Sequence, residues 1–129
     1  MSRIERFEDL QIWILSRELN RQVWNLVNSS DLSRDYALRN QINRSSGSIM
    51  DNIAEGFGRN GNKEFCQYLS ISKASCYETK SQLYRCRDRE YICAADFEAL
   101  ISKVESISGK IQAFMNYLKQ SDLRGSKFK

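Results

Sequence analysis

Four amphipathic stretches organise the chain. Between about residues 8 and 29, Ile12, Leu15, Leu19, Val23 and Leu26 recur at spacings of three, four, four and three, and Trp13, Trp24 and Val27 widen that stripe to one side. This is the period of one helix face. Glu8 and Asp9 fall at its start, where negative charge suits the helix dipole, and two tryptophans on one helix read as core or interface anchors. A second helix is expected over about 33–57, with Ser33 as N-cap, Asp35 in the first turn and Gly56 as the left-handed residue that follows a helix. A third, over about 62–89, carries Phe65, Leu69, Ser72, Cys76, Thr79, Leu83 and Cys86 as an a/d heptad whose core positions are half small or weakly polar. After a break at Glu90–Ala95, a fourth helix over about 95–120 repeats Phe97, Leu100, Val104, Ile107, Ile111, Phe114 and Leu118 without interruption. Its N-cap is poor, because only Cys93, Ala94 and Ala95 precede Asp96. Residues 121–129 read as a basic, frayed tail. Four such helices with short connectors predict an all-α protein: a single domain over 1–129, folded as an antiparallel up-down-up-down four-helix bundle.

The polar positions of the second helix are unusual. Gln41, Ser45, Ser48, Asn52, Glu55 and Arg59 follow one another at spacings of four, three, four, three and four, beside an apolar stripe of Leu38, Ile42, Ile49 and Ile53. A solvated face normally carries long charged side chains opposite the apolar one. Here short polar residues touch the apolar edge, and an unpaired buried polar group costs about 1–3 kcal/mol. The third helix holds a similar series, Tyr68, Ile71, Ser75, Glu78, Gln82 and Arg85. The two stripes are expected to face each other as a polar seam. Asn52, Glu55 and Arg59 would then share hydrogen bonds with Ser75, Glu78 or Gln82. The competing reading is a solvated face with incidental serines.

Composition narrows the function. The chain has no proline and six glycines, five of them assigned to loops and helix ends with Gly47 as the helical exception; this favours long helices over hairpins. A charged fraction of 28% against 41% apolar excludes a disordered chain. No apolar run approaches the roughly 18 residues that span a bilayer, and the start MSRIERFEDL holds no signal-peptide core, so a cytoplasmic placement with no membrane partner is expected. Cys66, Cys76, Cys86 and Cys93 form no C-x-x-C pair, and the chain has no histidine. The cysteines therefore read as small core residues, and no metal or other cofactor is expected. A di-metal bundle site needs Glu-x-x-His pairs, and Gly56–Gly61 lacks the spacing of a phosphate-cradling loop, so the chain is read as non-enzymatic.

A net charge of +4 permits a nucleic-acid partner without requiring one. The basic residues are uneven. Arg59, Lys63, Lys73, Lys80, Arg85, Arg87 and Arg89 face only Glu64, Glu78 and Asp88 in the same span, and residues 119–129 set Lys119, Arg124, Lys127 and Lys129 against Asp122. The seven in the third-helix region are the candidate phosphate contacts. An ordinary solvated helix face is the alternative.

Three segments carry a family resemblance: Phe7–Leu10 (F-E-D-L), Gln41–Arg59 (Q-I-x-R-S-S-x-S-I-x-x-N-I-A-E-G-x-G-R) and Glu64–Leu83 (E-F-x-x-Y-L-x-I-S-x-x-S-x-x-E-x-x-x-Q-L). Together they resemble the four-helix-bundle proteins encoded in 23S rRNA intervening sequences, with Asn52–Gly56 the most specific part. The resemblance implies an antiparallel bundle and a ring-like homo-oligomer, a pentamer. Related accessory proteins of diversity-generating retroelements bind RNA or DNA and a reverse transcriptase, which implies the same kinds of partner here. The chain departs from the pattern at Leu32-Ser33, where an aromatic-proline pair is usual. It departs again at Lys73-Ala74-Ser75, in place of a small-Gly-Ser segment, and at Arg89-Glu90-Tyr91, in place of Leu-Gly-Tyr. The resemblance thus points to a nucleic-acid or nucleoprotein-binding accessory protein; the alternative is a structural or protein-interaction oligomer that binds no nucleic acid.

Overall fold

The computed structural model describes residues 4–125. Four helices account for most of them: α1 (Gln11–Ser29), α2 (Tyr36–Phe57), α3 (Asn62–Asp88) and α4 (Ala94–Gly125). The described residues contain no strand, and the chain is an all-α four-helix bundle. Bonds across α2 and α3 pair Gln41 with Arg85, Ser45 with Gln82 and Ser48 with Ser75. Bonds across α3 and α4 pair Lys73 with Gln112 and Lys80 with Glu105. In both sets one number rises as the other falls, so α3 runs antiparallel to both α2 and α4. No helix of the described residues is long and apolar enough to cross a membrane.

The core follows the apolar stripes, with adjustments that reflect a 3.6-residue turn drifting across a 3.5-residue repeat. In α1 the buried positions are Ile12, Ser16, Leu19, Val23 and Val27; Leu15 and Leu26 are only half-buried. Trp24 is 56% exposed and so is not a core anchor. All seven heptad positions of α3 are buried, as are those of α4 apart from half-buried Phe114; Ile101 and Met115 join them.

Helix boundaries depart from the pattern where buried side chains outweigh local propensity. α1 starts at Gln11, because buried Leu10 stays extended as its N-cap and Phe7–Asp9 form a separate 3-10 turn. Glu8 and Asp9 therefore precede the helix. Ser33 does not cap α2. It lies in a 3-10 turn, Asp31–Arg34, drawn inward by fully buried Leu32, and Asp35 takes the cap by accepting from the Leu38 N–H at 3.3 Å. At the start of α4 the Cys93 sulfur accepts from the Asp96 N–H at 3.5 Å, the weak cap that the composition allowed. Cys93 is exposed and so is not a core residue, and Cys66 is half-buried. Cys76 and Cys86 are core residues whose thiols burial pushes up to about 12 and about 11. α4 continues to Gly125, so the first part of the expected tail is helical. Residues 126–129, with Lys127 and Lys129, lie outside the described part.

Two glycines change their role. Gly109 lies inside α4, a second helical exception. Gly56 is helical and buried, and is not a left-handed terminus; the positive φ of that loop falls at Gly61, at 96°. What Gly56 supplies is clearance. A Cβ there would stand 2.7 Å from the Tyr68 Cβ, 2.9 Å from Phe65 Cδ1 and 3.3 Å from the Phe65 carbonyl oxygen. Alanine at this site gains up to about 1 kcal/mol of helix propensity but pushes α3 away. Gly56→Ala is therefore expected to lower stability by about 1–3 kcal/mol by thermal or urea unfolding.

Candidate functional site

The polar seam between α2 and α3 is present, and it is centred on hydroxyls. Ser45 Oγ donates to Gln82 Oε1 at 2.6 Å, and Thr79 Oγ1 lies 2.8 Å from Ser45 Oγ and 2.9 Å from the Ser75 carbonyl. Ser75 Oγ bonds Ser48 Oγ at 2.8 Å, and Ser72 Oγ donates 2.7 Å to the Ile49 carbonyl of the facing helix. A side-chain hydroxyl reaches the neighbouring backbone only when two helices lie very close, which small residues permit. At the exposed end Arg85 donates to Gln41 Oε1 at 2.8 Å. Every fully buried polar side-chain atom among the described residues has a partner.

The seam differs from its expected membership. Asn52 joins from its own helix, donating to the Ser48 carbonyl and Oγ, both at 2.9 Å. Glu55 and Glu78 are exposed and lie outside it. Glu55 instead accepts from Arg59 at 3.0 Å along its own helix, and that pairing holds the guanidinium firmly protonated. The reason is rotational. The stripe on α2 has turned off the interface by residue 55, and Thr79, one position beyond Glu78, takes the inward place on α3. Thr79 and Ser72 stood in the sequence only as small or weakly polar heptad positions; that polarity is the signal that could have placed them in the seam. Asn20 and Ser46, bonded at 3.0 Å between α1 and α2, had no periodic signal at all.

The seven candidate phosphate contacts do not gather into one patch. Lys73 and Lys80 sit at the α3–α4 edge, bonded to Gln112 at 2.7 Å and Glu105 at 3.0 Å. Arg85 lies at the α2–α3 edge. Arg87 donates to the Ile92 carbonyl, and Arg89 pairs with Asp35 at 2.6 Å. Arg59 pairs with Glu55 and lies over the Tyr68 ring. Lys63 is exposed and has no protein acceptor among the described residues.

Two further features stand out. Asp35 ties the start of α2 to the α3–α4 connector, accepting from Tyr91 Oη at 2.9 Å and from Arg89. Its pKa is held below the usual carboxylate range, chiefly by the Tyr91 hydrogen bond, with Arg89 and the Leu38 N–H adding to it. At the other end of the bundle an open cleft of about 910 Å³ is walled by Phe57, Phe65, Phe114 and Tyr117, with Arg59 as its one charged lining residue among the described residues. Among the described residues no group of three or more His, Cys, Asp or Glu side chains is placed to hold a metal.

A small-residue α2–α3 seam inside an antiparallel helical bundle defines the class of protein. The family model of the 23S rRNA-intervening sequence protein matches residues 8–113, and the chain belongs to that family. A crystal structure of a protein of unknown function from the S23 ribosomal protein family of Bacteroides thetaiotaomicron is similar in fold, with a TM-score of 0.73 at 24% identity, over 81% of this chain and 97% of that one. No curated protein matches.

Two measurements check this site. Thr79→Val keeps the shape but strips a buried hydroxyl partner from Ser45, and is expected to cost about 1–3 kcal/mol in denaturant unfolding. Asn52→Leu, whose bonds stay within one helix, is expected to cost less than Thr79→Val. The Asp35 clamp sets the second. A depressed native pKa contributes stability above the unfolded value near 3.9, and that stability is lost as pH falls through the native pKa. Asp35→Asn keeps a capping side chain but removes the charge. Its melting temperature is expected to fall less steeply than wild type between about pH 5 and pH 2.

Proposed function

We propose that this chain is a non-enzymatic assembly module that associates with copies of itself into a ring-like homo-oligomer, and that the assembly engages nucleic acid or a nucleoprotein. One observation carries the first part. The core is complete within one chain, yet Ile14 and Trp24 on α1, and Ile71, Tyr77 and Tyr84 on α3, remain about half exposed. Large apolar and aromatic side chains left outside a finished core are the usual material of protein interfaces. The pentameric number rests on the family resemblance, as does a reverse transcriptase as protein partner; such a partner would use the same exposed side chains.

Nucleic-acid binding is supported by the surplus of basic residues. A second reading, assembly without nucleic acid, is favoured by a specific observation: six of the seven candidate contacts, all but Lys63, already engage protein acceptors. The ion pairs among them, Arg59–Glu55, Lys80–Glu105 and Arg89–Asp35, lie at the surface, where such pairs contribute little and can exchange for phosphate. Light scattering at micromolar concentration is expected to show an oligomer, reduced by Trp24→Ser; a monomer would overturn the assembly reading. Electrophoretic retardation of structured RNA is expected at low salt and to fade as salt rises. Unretarded RNA at low salt would leave the second reading standing.

A further inference from the structure

The aromatic cleft at the α2–α3 loop is used by neither the seam nor the exposed α1 and α3 side chains. Its volume of about 910 Å³ lies within the roughly 300–1,000 Å³ of small-ligand sites. Its aromatic rings form a relay. Phe57 meets Phe65 edge-on at 6.0 Å, Phe65 meets Phe114 edge-on at 5.5 Å, and Phe114 lies nearly parallel to Tyr117, at 6.1 Å and 11°. The relay ends at Tyr117, which is 53% exposed and has no ring or cation on its other face among the described residues. A flat ring placed there continues the stack.

The polar groups around the cleft point to an anionic occupant with hydrogen-bond donors. Among the described residues Arg59, which pairs with Glu55, is the single charged lining residue, and Lys63, without a protein acceptor among them, lies four positions on, just past the loop. Asn62 also lines the cleft. Its Nδ2 is committed to the Leu118 carbonyl at 3.2 Å, which leaves Oδ1 as an acceptor with no protein donor among the described residues. A flat ring carrying an exocyclic amine and attached to a phosphate meets all three features. Stacking on aromatic side chains with phosphate at Lys or Arg is the general chemistry of unpaired-strand recognition. An apolar peptide side chain would use the walls, leave Lys63 and Asn62 Oδ1 unanswered and offer Arg59 nothing in exchange for Glu55.

We propose that this cleft receives one unpaired, amine-bearing nucleobase of a single-stranded nucleic acid, stacked on Tyr117, with its flanking phosphate at Arg59 and Lys63. The proposal rests on the nucleic-acid reading above and deepens it: the bundle end recognises unpaired bases, and the scattered basic residues supply only general attraction.

The test has two arms that fail separately. In the first, adenosine monophosphate is titrated into isotope-labelled protein and backbone amide shifts are followed. Gly61, Asn62 and Tyr117 are expected to move, while Asp31, at the other end of the bundle, stays fixed. Unmoved cleft amides overturn the proposal, whatever longer strands do. In the second, RNA and DNA decamers carrying a single 2-aminopurine are bound to wild type and to Tyr117→Ala, an exposed site whose variant is checked by thermal melt. The wild type is expected to quench the probe. Tyr117→Ala is expected to abolish the quench and weaken single-strand binding at least about fivefold, with duplex binding unchanged. Lys63→Ala is expected to lower the salt slope by about 0.7 without touching the quench. Equal single-strand affinity in Tyr117→Ala overturns the proposal and leaves the nucleic-acid reading intact. Moved amides with no bound decamer support the cleft as a nucleotide site and overturn the accessory reading. A stronger effect on RNA than on DNA, or the reverse, identifies the strand.

Discussion

The close approach of α2 and α3 is the constraint on which the rest of this bundle depends. It is set at one point by Gly56, where no side chain fits against Phe65 and Tyr68. Along the helices it is set by hydroxyls that reach across, Ser72 to the Ile49 carbonyl and Ser75 to Ser48. Both devices need short side chains, and both fix distance and register together. A hydrophobic face of Leu and Ile tolerates sliding by small repacking, because dispersion has no direction. A hydroxyl seam does not slide, because each misplaced group becomes a buried orphan. The apolar stripes of α1 and α4 can then pack onto a pair whose geometry is already defined.

That division has consequences for the outer surfaces. With the smallest polar residues consumed at one interface, the larger aromatic side chains of α1 and α3 are left outside. α1 and α4 meet less closely than the other neighbours, with grooves of about 440 and 410 Å³ towards the two ends. The Lys103–Glu18 ion pair, at 2.6 Å, bridges between them. The surface that remains is therefore apolar in patches and basic in isolated positions. The aromatic cleft opens at one end of this surface, with rings for walls and Arg59 among its lining residues.

Much of the fold was legible because helix periodicity is a local property. The heptads of α3 and α4 translate directly into buried faces, since any helix must hide such a stripe. The seam was legible in outline too, because short polar residues beside an apolar edge mark a face that a second helix can approach closely. Its membership was less so. Glu55 and Glu78 satisfied the spacing, but a straight helix rotates away from a seven-residue repeat, and Thr79 was hidden within the apolar count. The basic residues show the limit most plainly. Seven cations along one stretch of sequence look like a patch, yet a helix distributes them around its circumference and every neighbouring acid, amide or carbonyl competes for them.

By itself, then, the sequence determined the number of helices, the face each one buries and the unusual polarity of the α2–α3 contact, because these follow from residue type and period within single helices. Only the tertiary structure decided that Gly56 serves clearance and not helix termination, that Asp35 clamps the far connector, and that Phe57, Phe65, Phe114 and Tyr117 form one cleft. Each of these depends on which residues distant in the chain are brought within a few ångströms, and no local pattern encodes that distance.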